Sequence, residues 1–164
     1  MNSFKQIRLV VFDFDGVFTD NRVFVSQAGE ETVACCRSDG VGLARLKACG
    51  VDSLILSSEV NPVVSIRAEK MKIACRQGVV DKLVVLREEV ERRNLRLDQT
   101  AYVGNDINDA ECLRAVGLAV LVSDAWDEVR PLAKLILTRR GGEGAVREFC
   151  DRVCACWSET GERE

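Results

Sequence analysis

Short apolar runs alternate along the chain with longer segments in which apolar residues recur every three or four positions. Residues 7–14 are almost continuously apolar and rich in β-branched side chains, which is typical of a strand buried on both faces of a parallel sheet. Residues 81–94 instead place Leu83, Leu86 and Val90 on one face, the spacing of an amphipathic helix. The alternation predicts an α/β fold with a doubly wound parallel sheet.

The same patterns assign the remaining elements, and one segment departs from the alternation. Strands are predicted at 7–14, 52–57, 73–75, 100–104, 117–122 and 135–137. Helices are predicted at 40–49, 61–71, 81–94, 109–115, 124–132 and 145–156. After the first strand, two short apolar segments flank a Gly-containing turn, which predicts an inserted β-hairpin at about 22–34. We expect one domain over 1–164, with a polar tail at 158–164 and no cap domain.

Composition narrows the chemistry that this domain can perform. The 164 residues include 23 Lys and Arg and 26 Asp and Glu, for a net charge of −3, and no His. A histidine triad, a histidine base and His-ligated zinc are therefore excluded. Because no basic cluster or long apolar run is present, we expect no nucleic-acid or membrane partner. With no apolar leader segment, the eight cysteines are interpreted as reduced thiols of a cytoplasmic protein.

Polar side chains gather at the predicted carboxyl ends of the strands and at the starts of the following helices, where open parallel sheets bind ligands. They are Asp13, Asp15, Ser57, Lys82, Asn105, Asp106 and Asp109. Two carboxylates that lie two residues apart at a buried strand end are costly unless they share a cation or a proton. A hard divalent cation such as Mg²⁺ would remove that cost. Each motif alone could be a turn, a cap or a strand end, but their joint occurrence favours a site.

These motifs resemble those of the haloacid dehalogenase (HAD) superfamily of phosphotransferases over nearly the whole chain. Asp13-x-Asp-Gly-Val-x-Thr19 is similar to the first motif, Ser57 to the second and Lys82 to the third. Gly104-Asn-x-x-x-Asp109 is similar to the fourth motif. The resemblance implies a HAD-like fold and phosphoryl-transfer chemistry.

Other segments narrow the resemblance to the capless phosphatases of 3-deoxy sugar acids. They are the early hairpin, Arg37-Ser-Asp-Gly40 and Gly141-Gly-Glu-Gly-Ala-Val-Arg-Glu148, together with the absence of a cap. This subgroup includes phosphatases of 3-deoxy-D-manno-octulosonate 8-phosphate and of 2-keto-3-deoxynononate 9-phosphate. It also includes the phosphatase-like domain of some CMP-sialic acid synthetases.

The resemblance implies a mechanism through an aspartyl-phosphate. Asp13 would be the nucleophile, and Asp15 would act as general acid and then as general base. Ser57 would donate a hydrogen bond to a phosphoryl oxygen, and Lys82 would pair with the phosphoryl group. Together these four residues form the expected catalytic set.

The resemblance also implies Mg²⁺, bound by Asp13, the backbone carbonyl of Asp15, and Asn105. Asp109 would orient Lys82 or a metal-bound water, and Asp106 could support the ion through a water. Asn105 departs from the family pattern, which has Asp at this position. A neutral amide oxygen is a weaker Mg²⁺ ligand than a carboxylate.

Further residues are expected to bind substrate, namely Arg37, Ser38, Asp39, Gly40, Glu59, Arg67 and Lys70. Glu59 stands where octulosonate phosphatases carry an Arg, and its charge would repel a substrate carboxylate. With Lys70, it makes the chain more similar to the nononate 9-phosphate phosphatases. Arg67 and Lys70 lie three residues apart on one predicted helix and are candidate partners of the sugar-acid carboxylate.

We therefore expect a Mg²⁺-dependent phosphatase of a nonulosonic acid phosphate. An octulosonate 8-phosphate phosphatase and a non-catalytic oligomerisation domain remain open as alternatives, and Asn105 slightly favours the second of these. In the capless subgroup a neighbouring subunit covers the active site. Because a lone hairpin with Val23, Phe24 and Val25 exposed would be prone to aggregate, we expect a homotetramer that buries it.

Overall fold

The computed structural model describes residues 3–158 and contains eight strands and five α-helices within that range. The strands are β1 (Leu9–Phe12), β2 (Phe24–Val25), β3 (Glu31–Thr32), β4 (Asp52–Leu56), β5 (Ala74–Arg76), β6 (Thr100–Gly104), β7 (Leu118–Leu121) and β8 (Leu135–Ile136). The helices are α1 (Ser38–Ala48), α2 (Val63–Met71), α3 (Lys82–Arg92), α4 (Ala110–Ala115) and α5 (Ala145–Ser158).

Six strands form one parallel sheet in the order β5-β4-β1-β6-β7-β8. β1 lies at the centre and is buried along its whole length, as its continuous apolar sequence predicts. In the register of the sheet, Phe12 stands beside Ile55 of β4 and Val103 of β6. Helix α1 packs against α5, and α3 packs against α4. The predicted α/β fold is therefore confirmed.

The hairpin forms as predicted but is much shorter. Strands β2 and β3 pair antiparallel over two residues each, and all four residues are exposed. A two-residue pair without a second layer buries little apolar surface, so the regular ladder does not extend over the expected range.

Two helix predictions need correction. The segment 124–132 is a 3₁₀ helix over Asp127–Leu132 and not an α-helix, because Pro131 lies inside it and lacks the N–H that an α-helix requires. Pro62, expected at the first position of its helix, instead precedes α2. There the side chain of Asn61 accepts a hydrogen bond from the Val63 N–H at 3.0 Å.

The ends of two other helices affect the site and the tail. Helix α1 begins at Ser38, two residues earlier than predicted, so Asp39 and Gly40 lie in its first turn. Helix α5 continues through Ser158, and the rest of the predicted polar tail, 159–164, lies outside the described residues. Within 3–158, every helix is too short or too polar to cross a membrane. The single-domain organisation stays a prediction.

Candidate active site

Asp13 lies directly beyond the carboxyl end of β1, in the middle of the sheet. Its backbone N–H donates to the carbonyl of Val103 at 3.0 Å, which keeps it in line with β6. The residue is only 4% exposed. Its Oδ1 accepts a hydrogen bond from the Phe14 N–H at 2.7 Å and lies 2.9 Å from Nζ of Lys82. The carboxylate is therefore held in one orientation by the backbone and by a buried cation.

Lys82 reaches Asp13 from the first residue of α3. Asp81 caps this helix, as predicted, and its side chain accepts from the Val84 N–H at 3.1 Å. The Lys82 ammonium lies 2.9 Å from Oδ1 of Asp13 and 2.9 Å from Oδ1 of Asp109. Burial lowers the pKa of Lys82, but the two carboxylates outweigh it and leave that pKa above its ordinary value. Lys82 is therefore a charged bridge between them.

The Asp109 carboxylate is the most heavily bonded group of the site. Besides Lys82, its Oδ1 accepts from the hydroxyl of Tyr102 at 2.7 Å. Its Oδ2 accepts from the backbone N–H of Asn105 at 2.9 Å and of Asp106 at 3.4 Å. Asp109 thus ties β6, the loop after it and α3 together. Tyr102 was not among the predicted site residues, although a hydroxyl in the middle of a buried strand was a signal for it.

Two glycines let the loops approach this closely. A Cβ on Gly104 would lie 2.5 Å from Oδ2 of Asp109, and a Cβ on Gly16 would lie 2.0 Å from Nδ2 of Asn105. Gly16 also has a φ of +77°, a left-handed conformation that glycine adopts at little cost. The loop that follows Asp13 therefore passes directly against the Asn105 side chain.

Burial of Asp13 makes its negative charge costly. Burial and then the nearby charge of Asp109 raise the pKa of Asp13 to about 7, against the opposing effect of Lys82. A cation bound beside the carboxylate would favour the ionised form. The electrostatics of the site thus fit a bound cation.

Asn105 supplies an oxygen that such a cation could use. Its backbone carbonyl accepts from the Trp126 N–H at 2.9 Å, which fixes the loop. Its side-chain Oδ1 is buried and has no hydrogen-bond partner among residues 3–158, an arrangement that is costly unless a ligand or water satisfies it. An amide oxygen, the Asp13 carboxylate and a backbone carbonyl of Asp15 are all ligand types that Mg²⁺ accepts. The residues present therefore fit the expected ion.

No described group of three or more Cys, Asp or Glu side chains is arranged to hold a metal. The expected Mg²⁺ set includes only one carboxylate, that of Asp13, and does not need such a group. Asp106, predicted to support the ion through a water, has a structural contact of its own. Its carboxylate accepts from the Ile107 N–H at 2.6 Å and so caps the 3₁₀ turn Ile107–Asp109. It therefore stabilises the loop that carries Asn105.

Asp15 lies at the same edge and is half-buried. Burial and then the charge of Glu59 raise its pKa, with a smaller contribution from Glu31 of the hairpin, while Lys82 lowers it. A raised pKa keeps more of the carboxyl group protonated near neutral pH. Such a group can donate a proton, which is what a general acid must do.

Ser57 and Glu59 occupy the loop after β4. Ser57 is 1% exposed, and its Oγ accepts from the Glu59 N–H at 3.1 Å. The Glu59 Oε1 accepts from the N–H groups of Val60 and Asn61 at 2.7 and 2.8 Å. The Glu59 carboxylate is thereby held in place by its own loop, close enough to Asp15 to affect its pKa.

The segment 37–40 contacts α5 and the residues just before α1, and its role in substrate binding stays a prediction. Asp39 is fully buried, and its Oδ1 accepts from the Arg147 N–H of α5 at 3.0 Å. Burial raises the pKa of Asp39 to about 6. Ser38 Oγ lies 2.9 Å from Cys36 Sγ, and Arg37 is exposed at the start of α1. The buried Asp39 fastens α1 to α5, and its contacts are internal to the protein.

The remaining predicted substrate-binding residues are spread along α1 and α2. Gly40 lies next to Met71, since a Cβ on Gly40 would be 3.8 Å from Cγ of Met71. Arg67 is half-buried, and its Nη2 donates to the carbonyl of Cys36 at 3.1 Å. Lys70 is exposed in the last turn of α2 and makes no hydrogen bond or ion pair within 3–158. These contacts do not join Arg67 or Lys70 to Glu59.

The segment 141–148 supports the loop after Asp13. The Gly142 N–H donates to the carbonyl of Val17 at 3.1 Å, and a Cβ on Gly141 would lie 1.9 Å from the carbonyl oxygen of Gly16. Within the loop, Thr19 Oγ1 accepts from the Gly16 N–H at 3.1 Å. The glycine pair therefore allows a direct backbone contact behind the site.

Comparison with known proteins now identifies the class. The family model for haloacid dehalogenase-like hydrolases matches residues 56–149. The 3-deoxy-D-manno-octulosonate 8-phosphate phosphatase of Yersinia pestis is 35% identical over 148 residues, which are 90% of this chain and 79% of that protein. The chain belongs to the haloacid dehalogenase-like hydrolase family. The resemblance found in its motifs is confirmed.

Solved structures agree with this assignment. The structure of the Yersinia pestis phosphatase has a TM-score of 0.92 at 33% identity and covers 96% of this chain and 85% of that one. The Moraxella catarrhalis 3-deoxy-D-manno-octulosonate 8-phosphate phosphatase, in complex with magnesium ion, phosphate ion and KDO, has a TM-score of 0.89 at 30% identity, with coverage of 98% and 96%. The family match and these phosphatase relatives confirm the predicted enzyme class, a phosphoric monoester hydrolase.

Proposed function

We propose that the protein is a Mg²⁺-dependent phosphatase that hydrolyses 2-keto-3-deoxynononate 9-phosphate or a closely related sugar-acid phosphate. The observation that carries the proposal is the buried Lys82 ammonium, 2.9 Å from both Asp13 and Asp109 at the carboxyl edge of the sheet. Such a buried ionic cluster is often no more stabilising than an apolar one of equal volume. The presence of this buried ionic cluster is therefore better explained by a role in catalysis than by a contribution to stability.

In the proposed reaction, the Asp13 carboxylate attacks phosphorus while the bond from phosphorus to the sugar oxygen breaks. Asp15 gives its proton to the departing oxygen, and its raised pKa supports this step. Asp15 then takes a proton from water, whose oxygen attacks the aspartyl-phosphate and releases inorganic phosphate and free Asp13. Lys82 and the Ser57 hydroxyl contact the phosphoryl oxygens during both steps.

Asp13, the Asp15 carbonyl and Asn105 would hold Mg²⁺ in this proposal. The ion, when bound, reduces the repulsion between the phosphoryl group and the carboxylates. The unpartnered Asn105 Oδ1 supports this assignment. Because Asn105 is neutral, we expect weaker Mg²⁺ binding than in a relative with Asp at this position.

The choice of sugar acid rests on Glu59. Its carboxylate is held by two backbone N–H groups beside Asp15. A fixed carboxylate repels a substrate carboxylate and accepts hydrogen bonds from hydroxyl groups, which a longer polyhydroxylated sugar supplies. The octulosonate 8-phosphate is the second candidate substrate, because relatives from Yersinia pestis and Moraxella catarrhalis are named as phosphatases of that compound. Arg67 and Lys70 stay predicted partners of the sugar-acid carboxylate.

Phosphate release from both sugar phosphates, with Mg²⁺ and with EDTA, tests the proposal. We expect Mg²⁺-dependent turnover that is faster on the nononate 9-phosphate. Asp13→Asn should lose on the order of 10³-fold or more in kcat while remaining folded, because the nucleophile is removed. Glu59→Arg should shift the ratio of kcat/KM values toward the octulosonate by roughly 10-fold.

Three results would contradict parts of this proposal. Equal turnover with EDTA would remove the metal requirement, and a wild-type preference for the octulosonate would overturn the argument from Glu59. A folded wild-type protein that turns over neither sugar would favour the non-catalytic oligomerisation domain.

A further inference from the structure

Tyr102 is the only tyrosine of the chain, and it lies in β6 behind the proposed active site. It is fully buried, and its hydroxyl donates to Oδ1 of Asp109 at 2.7 Å. The same oxygen accepts from the Lys82 ammonium at 2.9 Å. One carboxylate oxygen is thus shared between a buried hydroxyl and the cation that contacts Asp13.

The hydroxyl has no evident packing role. A phenylalanine at this position would fill nearly the same volume, whereas burying a hydroxyl is costly unless it is hydrogen-bonded. Burial and then the charge of Asp109 raise the pKa of Tyr102 well above its ordinary value. The group therefore keeps its proton and acts as a donor to Asp109 over the whole working pH range.

We propose that Tyr102 is a positioning residue for the phosphatase reaction, whose hydroxyl restrains Asp109 so that Lys82 remains shared between Asp109 and Asp13. This inference rests on the proposed function. Without the hydroxyl, Oδ1 of Asp109 keeps Lys82 as its only side-chain donor and attracts the ammonium more strongly. Lys82 then moves away from Asp13 and from the phosphoryl group whose charge it should neutralise.

Tyr102→Phe removes this one hydrogen bond with little change of volume, and the same strand offers a matched control. Thr100 lies two residues earlier, on the same face of β6, is fully buried and donates its hydroxyl to the carbonyl of Arg96 at 3.2 Å. Thr100→Val therefore also removes one buried hydroxyl of β6, but without contact to Asp109.

We expect Tyr102→Phe to lower kcat on the order of 10-fold with KM within about 2-fold of the wild type. Thr100→Val should keep kcat within about 2-fold, and the two variants should melt at similar temperatures. A Tyr102→Phe enzyme that equals the wild type, or a Thr100→Val enzyme that loses as much kcat, would overturn the inference. A loss confined to KM would also contradict it.

A second measurement needs no turnover. With tyrosine labelled with ¹³C at Cζ, the single side chain gives one NMR resonance, whose shift reports the hydrogen bond of the hydroxyl. The chemical shift of this resonance should change in Asp109→Asn but not in Thr100→Val. If Asp109→Asn does not fold, Lys82→Met should show the change instead. An unmoved resonance in the folded Asp109→Asn or Lys82→Met protein would overturn the positioning contact.

The kinetic and NMR measurements distinguish a failure of the positioning role of Tyr102 from a failure of the proposed phosphatase function. A wild-type protein that hydrolyses neither sugar phosphate overturns the proposed function, and the positioning role with it, even where the resonance moves. Wild-type turnover combined with an unaffected Tyr102→Phe enzyme overturns the positioning role alone.

Discussion

At the scale of single residues, burial and neighbouring charges set the pKa values of Asp13 and Lys82. Burial raises the pKa of Asp13 to about 7, whereas Asp13 and Asp109 together keep that of Lys82 above its ordinary value in spite of burial. Asn105 contributes a neutral oxygen at the point where a relative with Asp would contribute a charge. If Asn105 is a ligand, its neutral oxygen should bind the cation less strongly than a carboxylate would.

Asn105→Asp should strengthen Mg²⁺ binding, because a carboxylate is a stronger Mg²⁺ ligand than an amide. We expect the Mg²⁺ concentration for half-maximal phosphatase activity to fall by roughly 10-fold. Asp127→Asn, at a side chain that is 98% exposed, is the control and should leave the Mg²⁺ requirement unchanged. A Mg²⁺ titration of each variant measures the effect, and an equal or weaker requirement for Mg²⁺ in Asn105→Asp would contradict the assignment of Asn105 as a ligand.

At the scale of elements, parallel pairing brings the site together. β1 and β6 are neighbours in register, so the residues after them, Asp13 and Asn105, emerge at the same edge. The loop after β1 then passes against Asn105, which requires a glycine at position 16. Helices α1 and α5 are joined by the hydrogen bond from the Arg147 N–H to the side chain of the buried Asp39.

Gly16→Ala should impair the site and the fold together. Its Cβ would lie 2.0 Å from Nδ2 of Asn105, on a backbone with a φ of +77°. We expect a loss of about 2–4 kcal/mol in the free energy of unfolding and on the order of 10²-fold in kcat. Gly29→Ala is the control, since Gly29 has a φ of +80° but nothing within 4 Å of its Cβ position.

Gly29→Ala should therefore show only the backbone strain, about 1 kcal/mol, and normal activity. Urea unfolding and phosphate release measure both quantities. Equal losses in the two variants would mean that strain, and not contact with Asn105, accounts for the effect.

Asp39 makes the packing of α1 on α5 dependent on pH. Because burial raises its folded pKa to about 6 from an ordinary 3.8, the folded protein binds more protons than the unfolded chain between these values. The contribution of this group to stability is therefore present below pH 3.8 and is lost as pH rises to about 6. The loss is on the order of 3 kcal/mol. Arg67 and Arg147, the cations beside it, oppose the shift.

Asp39→Asn should remove this part of the pH dependence. We expect its free energy of unfolding to exceed that of the wild type at pH 7 by more than it does at pH 4, as measured by urea unfolding at both values. Asp127→Asn, at a side chain that is 98% exposed, should leave the pH dependence as in the wild type. If the free energy of unfolding of Asp39→Asn kept the pH dependence of the wild type, that dependence could not be assigned to the buried Asp39 carboxyl.

At the scale of the whole molecule, the hairpin exposes several apolar side chains. Val23, Phe24 and Val25 are 50%, 62% and 67% exposed, and the two short strands pair only with each other. Exposed apolar strands of this kind favour association between chains. Glu31 of the same hairpin also contributes to the environment of Asp15. A subunit that covered Glu31 would therefore lie near Asp15.

We expect the protein to be a homotetramer in solution, in which the hairpin is covered by a neighbouring subunit. Phe24→Asp should reduce the assembly to smaller species, because it places a charge in an apolar contact. Val84→Asp, at an exposed apolar residue of α3, should leave the assembly intact. Sedimentation velocity distinguishes these outcomes, and a monomeric wild type would contradict the prediction.

By itself, the sequence determined the order of strands and helices and the set of polar residues at the strand ends. These depend on local periodicity, which is why β6 was predicted at its observed bounds and Asp81 as the cap of α3. The family followed from the same residues. The tertiary structure decided which of them meet: it joined Lys82 to Asp13 and added Tyr102 to Asp109. It also buried Asp39 against α5. The sequence could not show these contacts, because contacts between residues distant in sequence, and the burial they produce, leave no local pattern.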